Sequence, residues 1–160
     1  MKVVVNTKTI AKYAKEILKD IVLHRSLDRA TVIYLVGELG AGKTTLMQSF
    51  GAELGISKKI ISPTFPILKV YNLQKKPFKM LFHVDAYRLS GKTESVTDYI
   101  KEKSKEKNLL MCVEWPTNLP KGTLTPHATI RLSFVKKDAT FRQLFYANKA
   151  TQRKKATRRK

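Results

Sequence analysis

From Ile10 onward the apolar residues Ile10, Tyr13, Ala14, Ile17, Leu18 and Ile21 recur at three- and four-residue spacing, with Lys12, Lys15, Glu16, Lys19 and Asp20 between them. An apolar stripe at that period predicts an amphipathic helix lying on a core. The pattern then changes. Short apolar and β-branched segments at 31–36, 67–71, 78–85, 109–114, 129–135 and 142–146 are bounded by Gly, Pro, Asn or charge clusters, which predicts strands. Residues 32–36, 80–84 and 109–113 are nearly continuous hydrophobic runs, so these strands are expected at the centre of a sheet, covered on both faces. Helical patterns at 43–54 and 94–105 fall between the strands, and the last third is rich in strands. Gln74-Lys75-Lys76-Pro77 predicts a hairpin turn joining 67–71 to 78–85, which makes part of the sheet antiparallel. The expectation is one α/β domain over residues 1–146, a mixed sheet with helices on both faces.

Composition adds limits. A chain of 160 residues is the usual size of one domain. Its 32 basic and 12 acidic residues leave a net charge of +20, which draws polyanions. Lysine outnumbers arginine 24 to 8, however, as A/T-rich coding produces on solvated faces, so charge alone names no ligand. Residues 147–160 carry seven basic residues and no acid, and 152–160 hold no large apolar side chain. Such a run repels itself and has no core to bury, so 147–160 is expected to be a disordered basic tail. The single cysteine, Cys112, lies in the run Leu109-Leu110-Met111-Cys112-Val113, where it is expected as a small buried hydrophobe. No purely apolar run exceeds five residues, against about 20 for a membrane-spanning helix. The first residues lack an apolar stretch of signal-peptide length, so the expected compartment is the cytoplasm, with no membrane partner.

Gly37-Glu38-Leu39-Gly40-Ala41-Gly42-Lys43-Thr44 fits G-x-x-x-x-G-K-[ST] between a predicted buried strand and a predicted helix, the context a phosphate-binding P-loop requires. Glycines let the main chain curl so that its N–H groups converge on phosphates, and the helix start adds its positive dipole end. The fold is therefore expected to be P-loop NTPase-like and the ligands to be ATP and Mg²⁺. Lys43 is expected to reach the β- and γ-phosphates, and the Thr44 hydroxyl to coordinate Mg²⁺. Such a site needs a further carboxylate at the end of a neighbouring buried strand. Asp85 closes the run beginning at Met80, and Glu114 closes the run beginning at Leu109. Ligands of open α/β sheets bind at that edge, although a strand-terminal acid can instead cap a turn.

The P-loop 37–45, Ser-Pro-Thr-Phe at 62–65, His-Val-Asp-Ala-Tyr-Arg-Leu at 83–89 and Val-Glu-Trp-Pro at 113–116 together resemble the bacterial TsaE (YjeE) family. The resemblance runs from about Thr9 to Phe145. It implies an ATPase that works with the proteins TsaB and TsaD to make threonylcarbamoyladenosine at position 37 of tRNAs reading ANN codons. It further implies a nucleotide site comprising Thr9, Glu38, Leu39, Gly40, Ala41, Gly42, Lys43, Thr44, Thr45, Thr64 and Trp115. On the same resemblance Thr64 would belong to a switch-like loop, Asp85 would be a Walker-B-like acid, and Glu114 would be a metal-site acid able also to position the attacking water. His83 is expected as a packed strand residue, with Tyr87 and Arg88 bracing the loop after Asp85. The chain departs from the family in having Thr117 where an acid is common, Ala86 where leucine is common, and a lysine-rich stretch at 90–108.

Two other classes fit parts of the sequence. A P-loop small-molecule kinase normally has a lid with several arginines, whereas three of the eight arginines here lie in the tail. A nucleotide-dependent RNA-binding protein accounts for the basic surface, and tRNA is the polyanion that such a surface or tail would meet.

Overall fold

In the computed structural model, which describes residues 1–63, 65–89, 94–136 and 138–150, the elements follow in the order β1 (Lys2–Val5), α1 (Ile10–Leu23), β2 (Thr31–Val36), α2 (Lys43–Glu53), β3 (Leu68–Asn72), β4 (Met80–Asp85), α3 (Glu94–Lys103), β5 (Leu109–Glu114), β6 (Ala128–Val135) and β7 (Asp138–Asn148). Single turns of 3-10 helix follow β4, at Ala86–Arg88, and β5, at Pro116–Asn118. The strands form one sheet in the order β1-β7-β6-β2-β5-β4-β3. β6, β2, β5 and β4 run parallel. β3 joins β4 antiparallel through the expected hairpin, while β7 and β1 close the other edge antiparallel. The expected mixed sheet is present.

Successive side chains of a strand point to opposite faces, and here both faces are covered. Ile33, Leu35, Leu81, Leu110 and Cys112 face α1 and α2, meeting Ile17, Ile21, Leu46, Met47 and Phe50. Val32, Phe82, Val84, Met111 and Val113 face the other way and pack against Ile100 of α3 with Leu119 and Leu124. Helices therefore cover both faces, and β5 is buried along its whole length. Cys112 lies buried in this core, and burial pushes its thiol pKa far up, so it is an inert hydrophobe. The alternation also sets up the site: His83 and Asp85 share the face of Leu81, and Glu114 shares the face of Cys112.

Two elements depart from the sequence reading. The strand β1 was not expected; it is four residues long and sits at an edge, with Val5 buried and Val4 half exposed. β7 begins earlier and ends later than expected, and its last residues cross the boundary placed at 146. The Asn148 amide donates to Asp20 Oδ2 at 2.8 Å, and the Tyr146 hydroxyl donates to the same oxygen, tying the end of β7 to α1. Ala147 and Asn148 thus continue β7, because the Asp20 carboxylate of α1 gives the Asn148 amide and the Tyr146 hydroxyl one shared distant acceptor. The remainder of the expected tail, 151–160, lies outside the described residues, as does Thr64. Among the described residues no helix is long and apolar enough to cross a membrane.

Candidate nucleotide site

The chain leaves β2 at Val36 and must turn at once into α2. Gly37 makes this turn against β6: a Cβ there would stand 2.4 Å from the Leu132 carbonyl oxygen. That oxygen belongs to a strand and cannot yield cheaply. Replacing Gly37 with alanine is expected to destabilise the fold by about 2 kcal/mol and to lower Tm by several degrees in a thermal melt. Gly40 and Gly42 take φ of 72° and 98°, the left-handed region that side chains resist, and Gly42 is the N-cap of α2. The Ala41 amide donates to the Glu38 carbonyl at 3.1 Å and the Leu46 amide to Gly42 at 2.9 Å. The amides of Lys43, Thr44 and Thr45 are the ones an α-helix leaves without an intrahelical partner. Ala41 and Lys43 are buried, Thr44 and Thr45 half-buried, and Glu38, Leu39 and Gly40 form the exposed tip.

Lys43 folds back over this loop. Its Nζ donates to the carbonyls of Gly37 at 2.8 Å and Glu38 at 3.0 Å and lies 4.3 Å from the centre of the Trp115 ring. Burial lowers its pKa, while the charges of Glu114 and then Asp85 oppose that shift. The two acids end adjacent parallel strands and stand side by side in register, Asp85 opposite Glu114, with Leu35 of β2 opposite Glu114 on the other side. Both are buried. Lys43, Thr44, Asp85 and Glu114 are therefore gathered at the carboxyl edge of β2, β5 and β4, as expected of strand-end acids beside a P-loop.

The acids are held differently. Asp85 Oδ2 accepts from the Ser62 hydroxyl at 2.8 Å and Oδ1 from the Tyr87 amide at 3.1 Å, so Asp85 also caps the 3-10 turn that follows β4. Glu114 Oε1 lies 2.8 Å from His83 Nε2. Ser62 ties the Ser-Pro-Thr segment to the acid, a role its hydroxyl announces only once Asp85 is placed beside it. Trp115 takes φ 54°, an uncommon left-handed conformation for an aromatic residue, which turns its ring back over Lys43. Tyr87 packs on it with ring centres 5.2 Å apart, and the Asn118 amide holds the Tyr87 carbonyl at 3.1 Å. Arg88 stacks on Phe65 at 4.7 Å, bracing the segment after Ser62. Thr117 is exposed, and Ala86 is fully buried.

The other flank of the P-loop holds a residue that the sequence did not single out. Arg142 of β7 donates through Nη2 to the Gly40 carbonyl at 3.2 Å and stacks at 4.2 Å on Phe134 of β6. Nothing local marks this arginine, because the hairpin of β6 and β7 brings it across 102 residues of chain to the loop. Val5 pairs with Arg142, so the turn Asn6 to Thr9 emerges on this flank. Thr9 is exposed at the start of α1; its Oγ1 accepts from the Asn6 amide at 2.9 Å. No hydrogen bond among the described residues joins Thr9 to the P-loop.

The oxygen donors Thr44, Asp85 and Glu114 suit a hard cation such as Mg²⁺. Among the described residues there is no group of three His, Cys, Asp or Glu that would cage a metal outright. Mg²⁺ usually keeps waters and substrate phosphates among its ligands and takes one or two carboxylates from a protein.

The family model for "Threonylcarbamoyl adenosine biosynthesis protein TsaE" matches residues 5–144. The chain belongs to the TsaE family. A TsaE protein of Synechocystis, named for tRNA threonylcarbamoyladenosine biosynthesis, is 41% identical over 101 residues, covering 61% of this chain and 62% of its own. The Bacillus subtilis protein of the same name is 39% identical over 90 residues, covering 56% and 49%. The matched stretch thus spans about half to three-fifths of these TsaE relatives. The crystal structure of YdiB from Bacillus subtilis superposes with a TM-score of 0.62 at 26% identity, covering 94% of this chain and 87% of that one.

Proposed function

We propose that this TsaE-family chain binds ATP with Mg²⁺ at the P-loop and hydrolyses it slowly to ADP and phosphate, as the ATPase component of tRNA threonylcarbamoyladenosine synthesis in the cytoplasm. The observation that carries this reading is the gathering of Lys43, Asp85 and Glu114 at one sheet edge, with both acids near enough to oppose the effect of burial on the lysine. Amides of residues 40–45 would surround the phosphates, with Glu38 and Leu39 at the rim and Lys43 on the β- and γ-phosphates. Thr44, Asp85 and Glu114 would hold Mg²⁺, which would neutralise charge developing on the phosphates. Glu114 is well placed to orient the attacking water. Thr64, two residues after the Ser62 that binds Asp85, would sense the metal or γ-phosphate, and Trp115 would cover the phosphates. Thr9 and Arg142 lie on the flank away from the acids, where the nucleoside would extend.

Hydrolysis of this kind needs positioning and charge neutralisation more than acid or base chemistry. Its output would be a change in the Ser-Pro-Thr segment that alters association with TsaB and TsaD, and the basic surface or tail would attract tRNA. The test is phosphate release by the purified chain, alone and with TsaB, TsaD and tRNA. We expect slow, Mg²⁺-dependent release that rises when the three are added. Release only in the presence of a small-molecule phosphate acceptor would mean a kinase instead, and salt-sensitive RNA binding with no phosphate release would mean an RNA-binding protein.

A further inference from the structure

His83 occupies a place in β4 where a hydrophobic side chain would pack, between Phe82 and Val84 and across the sheet from Cys112. It is completely buried. Its Nε2 meets Glu114 Oε1 at 2.8 Å, while Nδ1 has no hydrogen-bond partner. With Glu114 a carboxylate, the oxygen only accepts, so Nε2 carries the hydrogen. Nδ1 is then buried without a partner, a cost that packing alone does not call for. The return on that cost lies in Glu114. Among the described residues His83 makes the one hydrogen bond to its side chain, whereas Asp85 is held by both Ser62 and Tyr87.

We propose that His83 is a positioning residue for the nucleotide site: by donating Nε2–H to Oε1 it fixes the rotamer of Glu114 and presents the second carboxylate oxygen to the metal and attacking water. This rests on the site reading above. The imidazole suits the task because the ring is stiff and its far nitrogen reaches past the strand to the end of β5. Partners of this kind, one bond removed from a metal ligand, typically change metal affinity or activity 10- to 100-fold when removed.

Two amides of nearly equal chemistry separate positioning from packing. The side-chain N–H of His83→Gln reaches about as far as Nε2, while that of His83→Asn reaches only about as far as Nδ1. Thermal melts, nucleotide affinity with EDTA and with Mg²⁺, and kcat and KM are measured for both. His83→Gln is expected to keep most of the turnover. His83→Asn is expected to lose 10- to 100-fold in kcat and most of the gain in affinity that Mg²⁺ brings, with EDTA affinity and Tm matching those of His83→Gln. If the two variants turn over alike, or if His83→Asn loses EDTA affinity and Tm in step with activity, the assignment of His83 is overturned. If the wild-type chain itself gains no nucleotide affinity from Mg²⁺, the reading of the site falls first.

Discussion

Alanine in place of Lys43 is expected to lower kcat/KM for ATP by roughly a thousandfold or more and to remove most of the affinity for Mg-nucleotide. The ammonium is the one fixed positive side-chain charge that the described structure sets between the P-loop and the two acids, and it sits where burial has already removed much of its water. Its two carbonyl partners, Gly37 and Glu38, lie in the loop itself, so phosphate oxygens would compete for a donor that is already in place. Preorganised charge of that kind needs no rearrangement as negative charge develops on the phosphoryl group. The variant also serves as its own control for folding. A buried lysine whose pKa burial has lowered contributes little to stability in the unliganded chain, so the melting temperature of Lys43→Ala should stay close to that of the wild type while activity disappears. A large drop in Tm would mean that the lysine is a structural strut.

Glu114→Gln is expected to reduce kcat by roughly a hundredfold or more while nucleotide still binds, because a carboxylate that orients water acts in the transition state more than in the ground state. The substitution preserves shape and leaves an amide oxygen for His83 Nε2–H, so packing against Val113 and Trp115 should persist. Asp85→Asn probes the other acid. Asp85 is held at both oxygens, and losing its charge should weaken the Mg²⁺ dependence of binding before it affects the water. Single-turnover phosphate release at saturating ATP, compared with affinity measured by titration, separates the two effects. Equal losses in binding and turnover for both variants would show that the acids share one role.

Much of the site was legible in the sequence because the residues concerned are local. The P-loop is a contiguous run of eight positions, and Gly40 and Gly42 in it take the left-handed φ that glycine permits. Asp85 and Glu114 could be placed because each ends a continuous hydrophobic run, and parallel strands put their carboxyl ends at one edge. Residues whose partners are far away in the chain stayed hidden. Arg142 comes to Gly40 only through the pairing of β6 with β7, and His83 looked like strand packing until the register of β4 on β5 set it beside Glu114. The same holds for the end of the domain. Asn148 is polar and stands just before the basic run that opens at Lys149, yet Asp20 on α1 gives its amide a partner and draws it into the fold.

The most direct measurement is titration calorimetry of the full chain with a non-hydrolysable Mg-ATP analogue, repeated with Lys43→Ala. One site per chain, with affinity strengthened by Mg²⁺ and lost in the variant, is the expected result. Absence of binding heat in the wild type, or equal affinity in the variant, would contradict a P-loop nucleotide site in this protein.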